Sequence, residues 1–124
     1  MFRDTHAFSS FAVPDLDAAR SFYGDTLGLE VGEGPMGVLA LELEGEQTIM
    51  VYPKPDFAPA TYTVLNFPVE DVDAAVDELT SRGVQFERYE GFEQDERGIA
   101  RGDGPDIAWF KDPAGNILAV LERD

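Results

Sequence analysis

Six residues of this chain recur in order 56 positions further on: Phe11, Val13, Asp15, Asp17, Ala18 and Ala19 return as Phe67, Val69, Asp71, Asp73, Ala74 and Ala75. Chance does not readily place six matches within nine positions, so the chain reads as two copies of one supersecondary unit. Each copy sets an apolar, β-prone run (residues 7–13 and 61–69) ahead of an amphipathic helical pattern. In the second helix, Val72, Ala75, Val76 and Leu79 follow i, i+3, i+4, i+7 spacing, while Asp73, Asp77 and Glu78 turn to water. Gly83 ends it. Asp71 is placed to cap it, since a carboxylate there accepts from the free first-turn amides, and Asp15 holds the matching place in the first copy. The first helix is expected over residues 16–27, closed by Gly28, with Phe22 and Leu27 packing it on the sheet.

Short β segments follow each helix. They are residues 29–33, 37–43 and 48–52 in the first half and 84–89, 99–101, 107–110 and 116–121 in the second, with Asp112-Pro113-Ala114-Gly115 as the last tight turn. The fold class is therefore α+β, two βαβββ modules in tandem (1–55 and 60–124) in one domain spanning residues 1–124. The Pro-bearing linker, residues 53–60, is too short to separate independent domains, and 91–98 is the expected mobile loop. A chain of 124 residues that is 44% hydrophobic can fill a core unaided.

Charge and composition narrow the partners. With 25 acidic against 9 basic residues the formal net charge is −16, a field that repels phosphates and anionic lipid surfaces. Nucleic acid and membrane partners are disfavoured, and cationic ligands are attracted, although acidity also serves solubility or salt tolerance. Cysteine is absent, which removes disulfides, thiolate metal sites and cysteine nucleophiles and fits a cytoplasmic location. No signal peptide is evident after Met1, and no run reaches a membrane span.

The stretch Phe11-Ala12-Val13-Pro14-Asp15-Leu16-Asp17-Ala18-Ala19 through Phe22-Tyr23 and Leu27-Gly28-Leu29 resembles the opening of vicinal oxygen chelate proteins. Phe110-Lys111-Asp112-Pro113-Ala114-Gly115-Asn116 resembles their closing hairpin. This superfamily includes glyoxalase I, extradiol dioxygenases, fosfomycin-modifying enzymes and bleomycin-resistance binding proteins, and the similarity covers essentially the whole chain. It implies curled mixed sheets enclosing a cavity, and it is specific for fold rather than function. Metal-using members carry a His or Glu/Gln seven residues before each helix-opening Asp, which here are Phe8 and Val64. The closing-strand donor, three residues past the turn Asn, falls on Ala119, and its first-module counterpart falls near Met50. None of the four can bind a divalent ion, because such metals need imidazole nitrogen or carboxylate oxygen. One-residue slips offer Ser9, Leu65, Leu118 or Val120, and Ile49 or Val51, and no register restores the site. The resemblance thus implies neither metal nor other cofactor.

Other candidates carry plainer readings. His6, the sole histidine, lies two residues ahead of a donor position and reads as a strand-end residue. Asp103 and Asp106 flank a Gly-Pro turn and could pair for acid/base work, but a solvated turn suits so acidic a chain better. Gly32-Glu33-Gly34-Pro35 lacks the strand-glycine-helix order of a phosphate cradle, and no serine sits in an elbow motif. What remains is an apolar cup. Alternation from Phe8 and Val64 puts Ser10 and Asn66 on its inner face, with Met50, Ala119, Tyr52, Tyr62 and Trp109 as further wall candidates. Core packing serves equally for Trp109 and is favoured for Tyr52.

The expected function is metal-independent binding of a small molecule, aromatic or cationic, by a homodimer as such relatives pair. The alternatives are a glyoxalase-like lyase, isomerase or dioxygenase using general acid/base chemistry or an atypical metal site, and an interaction subunit whose cup is filled by side chains.

Overall fold

The computed structural model describes residues 1–102 and 104–123. The chain divides into two compact units, Met1–Ala58 and Pro59–Asp124. The first unit runs β1 (Ser9–Val13), α1 (Leu16–Arg20), a π-helical continuation (Ser21–Thr26), β2 (Glu30–Glu33), β3 (Leu39–Leu43) and β4 (Gln47–Pro53). Its four strands lie in the order β1-β4-β3-β2, with β1 parallel to β4 and the rest antiparallel. The second unit runs β5 (Thr63–Val69), α2 (Val72–Ser81), β6 (Ile107–Lys111) and β7 (Ile117–Glu122), with sheet order β5-β7-β6 and β5 parallel to β7. Two mixed sheets, each with its helix, make this the α+β arrangement that the repeat requires.

The repeated Asp explains both helix starts. Asp15 and Asp71 sit in near-identical extended conformations, φ −132° and −133°. The Asp15 carboxylate accepts from the amides of Asp17 and Ala18, and that of Asp71 from Ala74. The ends differ. Past α2, the amide of Gly83 donates to the Thr80 carbonyl and that of Val84 to Leu79, with Gly83 at φ 91°, a Schellman closure. Past α1 the chain widens instead, Leu27 donating to the Phe22 carbonyl and Leu29 to Tyr23. Leu16, Ala19 and Tyr23 repeat at helical spacing, and Tyr23 is fully buried while Phe22 and Leu27 are only half-buried. Tyr23, rather than the expected pair, therefore anchors this helix, its ring 5.8 Å from Phe11 of β1 and 5.2 Å from Phe22.

The expected strands are corrected at three places. β1 starts at Ser9, so Phe8 precedes the ladder. Residues 84–89 do not form a strand; they lie along β6 through the Phe86–Phe110 bridge, the Glu87 amide donating to the Trp109 carbonyl, and side-chain contacts. Residues 99–101 likewise hold only bridges, from Ala100 to Ile107 and to Gln94. The second sheet thus has three ladder strands where more were expected, because the segment after α2 bends into a loop fixed by side chains.

Candidate functional site

Register places the expected residues in two matching rows. In the first sheet Ser10 pairs with Met50 and Met50 with Ala40. In the second, Asn66 pairs with Ala119 and Ala119 with Trp109. Ser10 and Asn66 are themselves 56 positions apart, so these are the same row of the repeated unit. Alternation assigns each row to the side opposite its helix: Phe11, next to Ser10, meets Tyr23 of the helical segment, and α2 lies against β6 and β7. Tyr52 shares the face of Ser10 and Met50 through its pairing with Ala12, and is exposed. Val64 sits at an irregularity between Thr63 and Leu65, half-buried. Tyr62 is exposed ahead of β5.

Met50 of the first row borders a depression of about 450 Å³ walled also by His6, Phe8, Glu46, Thr48 and Ile49, among others. Phe8 is 65% exposed there. The Met50 thioether lies against Gly34, where an added Cβ would come within 3.0 Å of its sulfur; a larger residue would push Met50 out of the row. His6 and Glu46 are the imidazole and carboxylate in the wall of this depression, two where a bound ion needs three or four donors. Among the described residues no three His, Asp or Glu side chains gather in a way that could hold a metal ion. The donors at Phe8, Met50, Val64 and Ala119 are apolar, so the residues present do not fit a resident metal.

The second row is closed by its own side chains. Ala119 is fully buried, Trp109 is 9% exposed, and both cluster with Ala100, Tyr89, Ile107 and Ile117. Tyr89 meets the indole edge-on at 5.5 Å, and Phe92 lies tilted on it at 5.0 Å. Asn66 remains exposed. Of the two readings of Trp109, packing describes its contacts here.

The loop carrying Tyr89 and Phe92 borders a second concavity of about 550 Å³, with Arg88, Gln94, Ile99 and Arg101 in its wall. The expected mobile segment is pinned from residue 94 onward. Gln94 donates to the carbonyls of Glu87 and Gly98 and accepts from the Tyr89 amide, and the Asp95 carboxylate accepts from the amides of Arg97 and Ile99. Arg101 grips Asp73 at 2.7 Å, Asp106 at 2.8 Å and Asp95 at 3.1 Å, tying α2 to this loop. That guanidinium holds the Asp73 carboxyl below the usual range, and three carboxylates raise the Arg101 pKa further. For Asp95 burial works upward, but the Ile99 and Arg97 amides and Arg101 prevail and lower it. Asp106 is thus an ion-pair partner, and Asp103, its suggested partner in acid/base work, lies outside the described residues. Burial, with Glu87 adding, pushes the Tyr89 phenol up, and its hydroxyl is buried without a hydrogen-bond partner among the described residues.

Tyr89, Phe92 and Gln94 were not legible as site residues. Phe92, an aromatic between Gly91 and Glu93 in an acidic loop, was the available signal; nothing marked Gln94.

Comparison with known proteins agrees with this geometry. The description Glyoxalase/Bleomycin resistance protein/Dioxygenase superfamily matches residues 5–120, and the chain belongs to that family. A glyoxalase family protein from Bacillus anthracis is similar over 100% of both chains, at 23% identity and a TM-score of 0.71. TnmS3, an antibiotic-binding protein from Streptomyces, is similar over 98% of both chains, at 24% identity and a TM-score of 0.70. A superfamily member from Sphaerobacter thermophilus is similar over 95% of this chain and 98% of its own, at 25% identity and a TM-score of 0.68. The curated proteins contain no match to the chain. Among the described residues no helix is long and apolar enough to cross a membrane.

Proposed function

We propose that this chain is a metal-independent small-molecule-binding protein whose ligand is planar, aromatic and positively charged. The observation that carries the reading is the chemistry at the four donor positions: Phe8, Met50, Val64 and Ala119 put apolar surface where the scaffold's metal-using members need donors. Apolar walls with a few polar groups suit an organic ligand, with Asn66 for orientation and Trp109 for stacking in the second unit, and Ser10 and Tyr52 in those roles in the first. The net charge of −16 favours a cation on approach and on a ring face. The antibiotic-binding neighbour supports the reading as an instance of this fold that binds an organic compound. A homodimer in the cytoplasm completes the proposal, resting on the resemblance and on the absence of cysteine.

The test is a titration with planar aromatic cations, acridine and phenanthridinium dyes, followed through the emission of Trp109, the sole tryptophan. Saturable quenching at stoichiometric dye, weakened severalfold in Asn66→Ala of the same row, is expected. No saturable response to any of these cations would overturn the reading. Light scattering that gives a single-chain mass at micromolar concentration would remove the dimer alone.

A further inference from the structure

Phe92 is an unusual cover for a buried tryptophan. Its ring sits 5.0 Å from the indole of Trp109, yet Phe92 itself is 56% exposed, so it lies on the row from outside rather than within the core. The backbone that carries it is held only at its ends. Gln94 clamps residues 87, 89 and 98, whereas residues 90–93 make no hydrogen bond among the described residues. Gly91, at φ 91°, turns the chain here in a left-handed conformation open to glycine, so that Phe92 hangs from a short turn. Lifting Phe92 would expose the indole face beside the edge of Tyr89, whose hydroxyl is buried without a partner. An unpaired buried hydroxyl is costly, and an incoming group able to hydrogen bond would relieve that cost. The surrounding charge selects the newcomer: in residues 87–96, Glu87 pairs with Lys111 and Asp95 with Arg101, while Glu90, Glu93 and Glu96 make no ion pair among the described residues and face only Arg88 in that stretch, Arg97 and Arg101 being engaged by carboxylates.

We propose that Phe92 is a removable plug, a side chain standing where a planar aromatic cation stacks on Trp109, and that ligand binding displaces it. The proposal deepens the binding function above and rests on it, adding the residue that competes with the ligand. A protein whose binding-competent form is a minor population binds more weakly by that fraction, so deleting the plug must tighten binding.

Two measurements on the full chain test it. In the first, acrylamide quenches Trp109 emission in wild type and in Phe92→Ala. The quenching constant is expected to rise at least threefold with the far-ultraviolet circular dichroism unchanged, and Phe92→Leu should fall between. An unchanged constant in a folded Phe92→Ala overturns the plug. In the second, calorimetry follows proflavine, with anthraquinone-2-sulfonate as the planar anion. Proflavine is expected to bind Phe92→Ala about tenfold more tightly than wild type, and the anion neither protein. Equal or weaker proflavine binding by the variant overturns the plug while leaving the binding function standing. Failure of both proteins to bind proflavine overturns the binding function and this subsite with it.

Discussion

The two rows that face away from the helices share a register and a history but hold opposite contents. In the first row Ser10 is exposed, Met50 borders a depression and Ala40 is small and buried, whereas Asn66, Ala119 and Trp109 fill the second with an indole roofed by Tyr89 and Phe92. The position that carries Ala40 in one copy carries Trp109 in the other. Their turns diverge in the same way. The hairpin joining β3 to β4 is made by backbone alone, with Gly45 at φ 82° and Glu46 at φ 60°. The hairpin joining β6 to β7 is made by a buried side chain: Asp112 accepts from the amides of Ala114 and Asn116 and from the Asn116 side chain. A duplicated unit keeps its caps and strand order, which folding needs, and is free to differ where neither depends on the local residue.

The largest expected effect separates the turns. Asp112→Ala leaves buried donors without an acceptor and should cost about 2–4 kcal/mol of unfolding free energy in denaturant titrations. A cost below about 1 kcal/mol would mean that the second hairpin, like the first, needs no side chain. Next come the caps, where symmetry should hold. Asp15→Ala and Asp71→Ala are each expected to cost about 1 kcal/mol, despite the shorter regular α-helix behind Asp15. Unequal losses would show that the π-helical continuation changes what the cap supports.

Arg101→Met should act less, on the second unit only, since the ion pairs are exposed. Asp73 and Asp95 titrate below the ordinary 3.8 when folded, so the stability they contribute is fully present above that value and fades as pH falls below it. Wild type should therefore lose stability across that acid window more steeply than Arg101→Met, as measured by melting temperature against pH, and parallel curves would remove the network from the account. The smallest effect has the opposite sign. Glu46→Gly relieves a left-handed backbone that L-residues adopt at a cost and should stabilise by about 0.5 kcal/mol.

Most of the fold was legible because the constraints were local and repeated. Asp15 and Asp71, the apolar spacing of Val72 and Val76, and Gly83 each act within a few residues of themselves. Phe22 and Leu27 misled because both are apolar and near the helical face, although the spacing of Leu16, Ala19 and Tyr23 already marks Tyr23; only the widened π turn that follows had no local pattern to announce it. Residues 84–89 misled for the converse reason: their composition suits a strand, but the Gln94 side chain takes the Tyr89 amide and the Glu87 carbonyl, a side-chain clamp that has no periodicity to announce it. At the site, alternation pointed to Ser10 and Asn66 and the resemblance to Met50 and Ala119, and the register pairs Ser10 with Met50 and Asn66 with Ala119. The Phe92 contact was not accessible that way, since a loop's path over a sheet has no period.

The central claim, an organic-ligand site on a scaffold without metal donors, is tested most directly by calorimetric titration of proflavine into protein dialysed against EDTA and into the same protein with added zinc. The account predicts saturable binding with the same dissociation constant in both. Binding that appears only with zinc, or no binding in either, would contradict it.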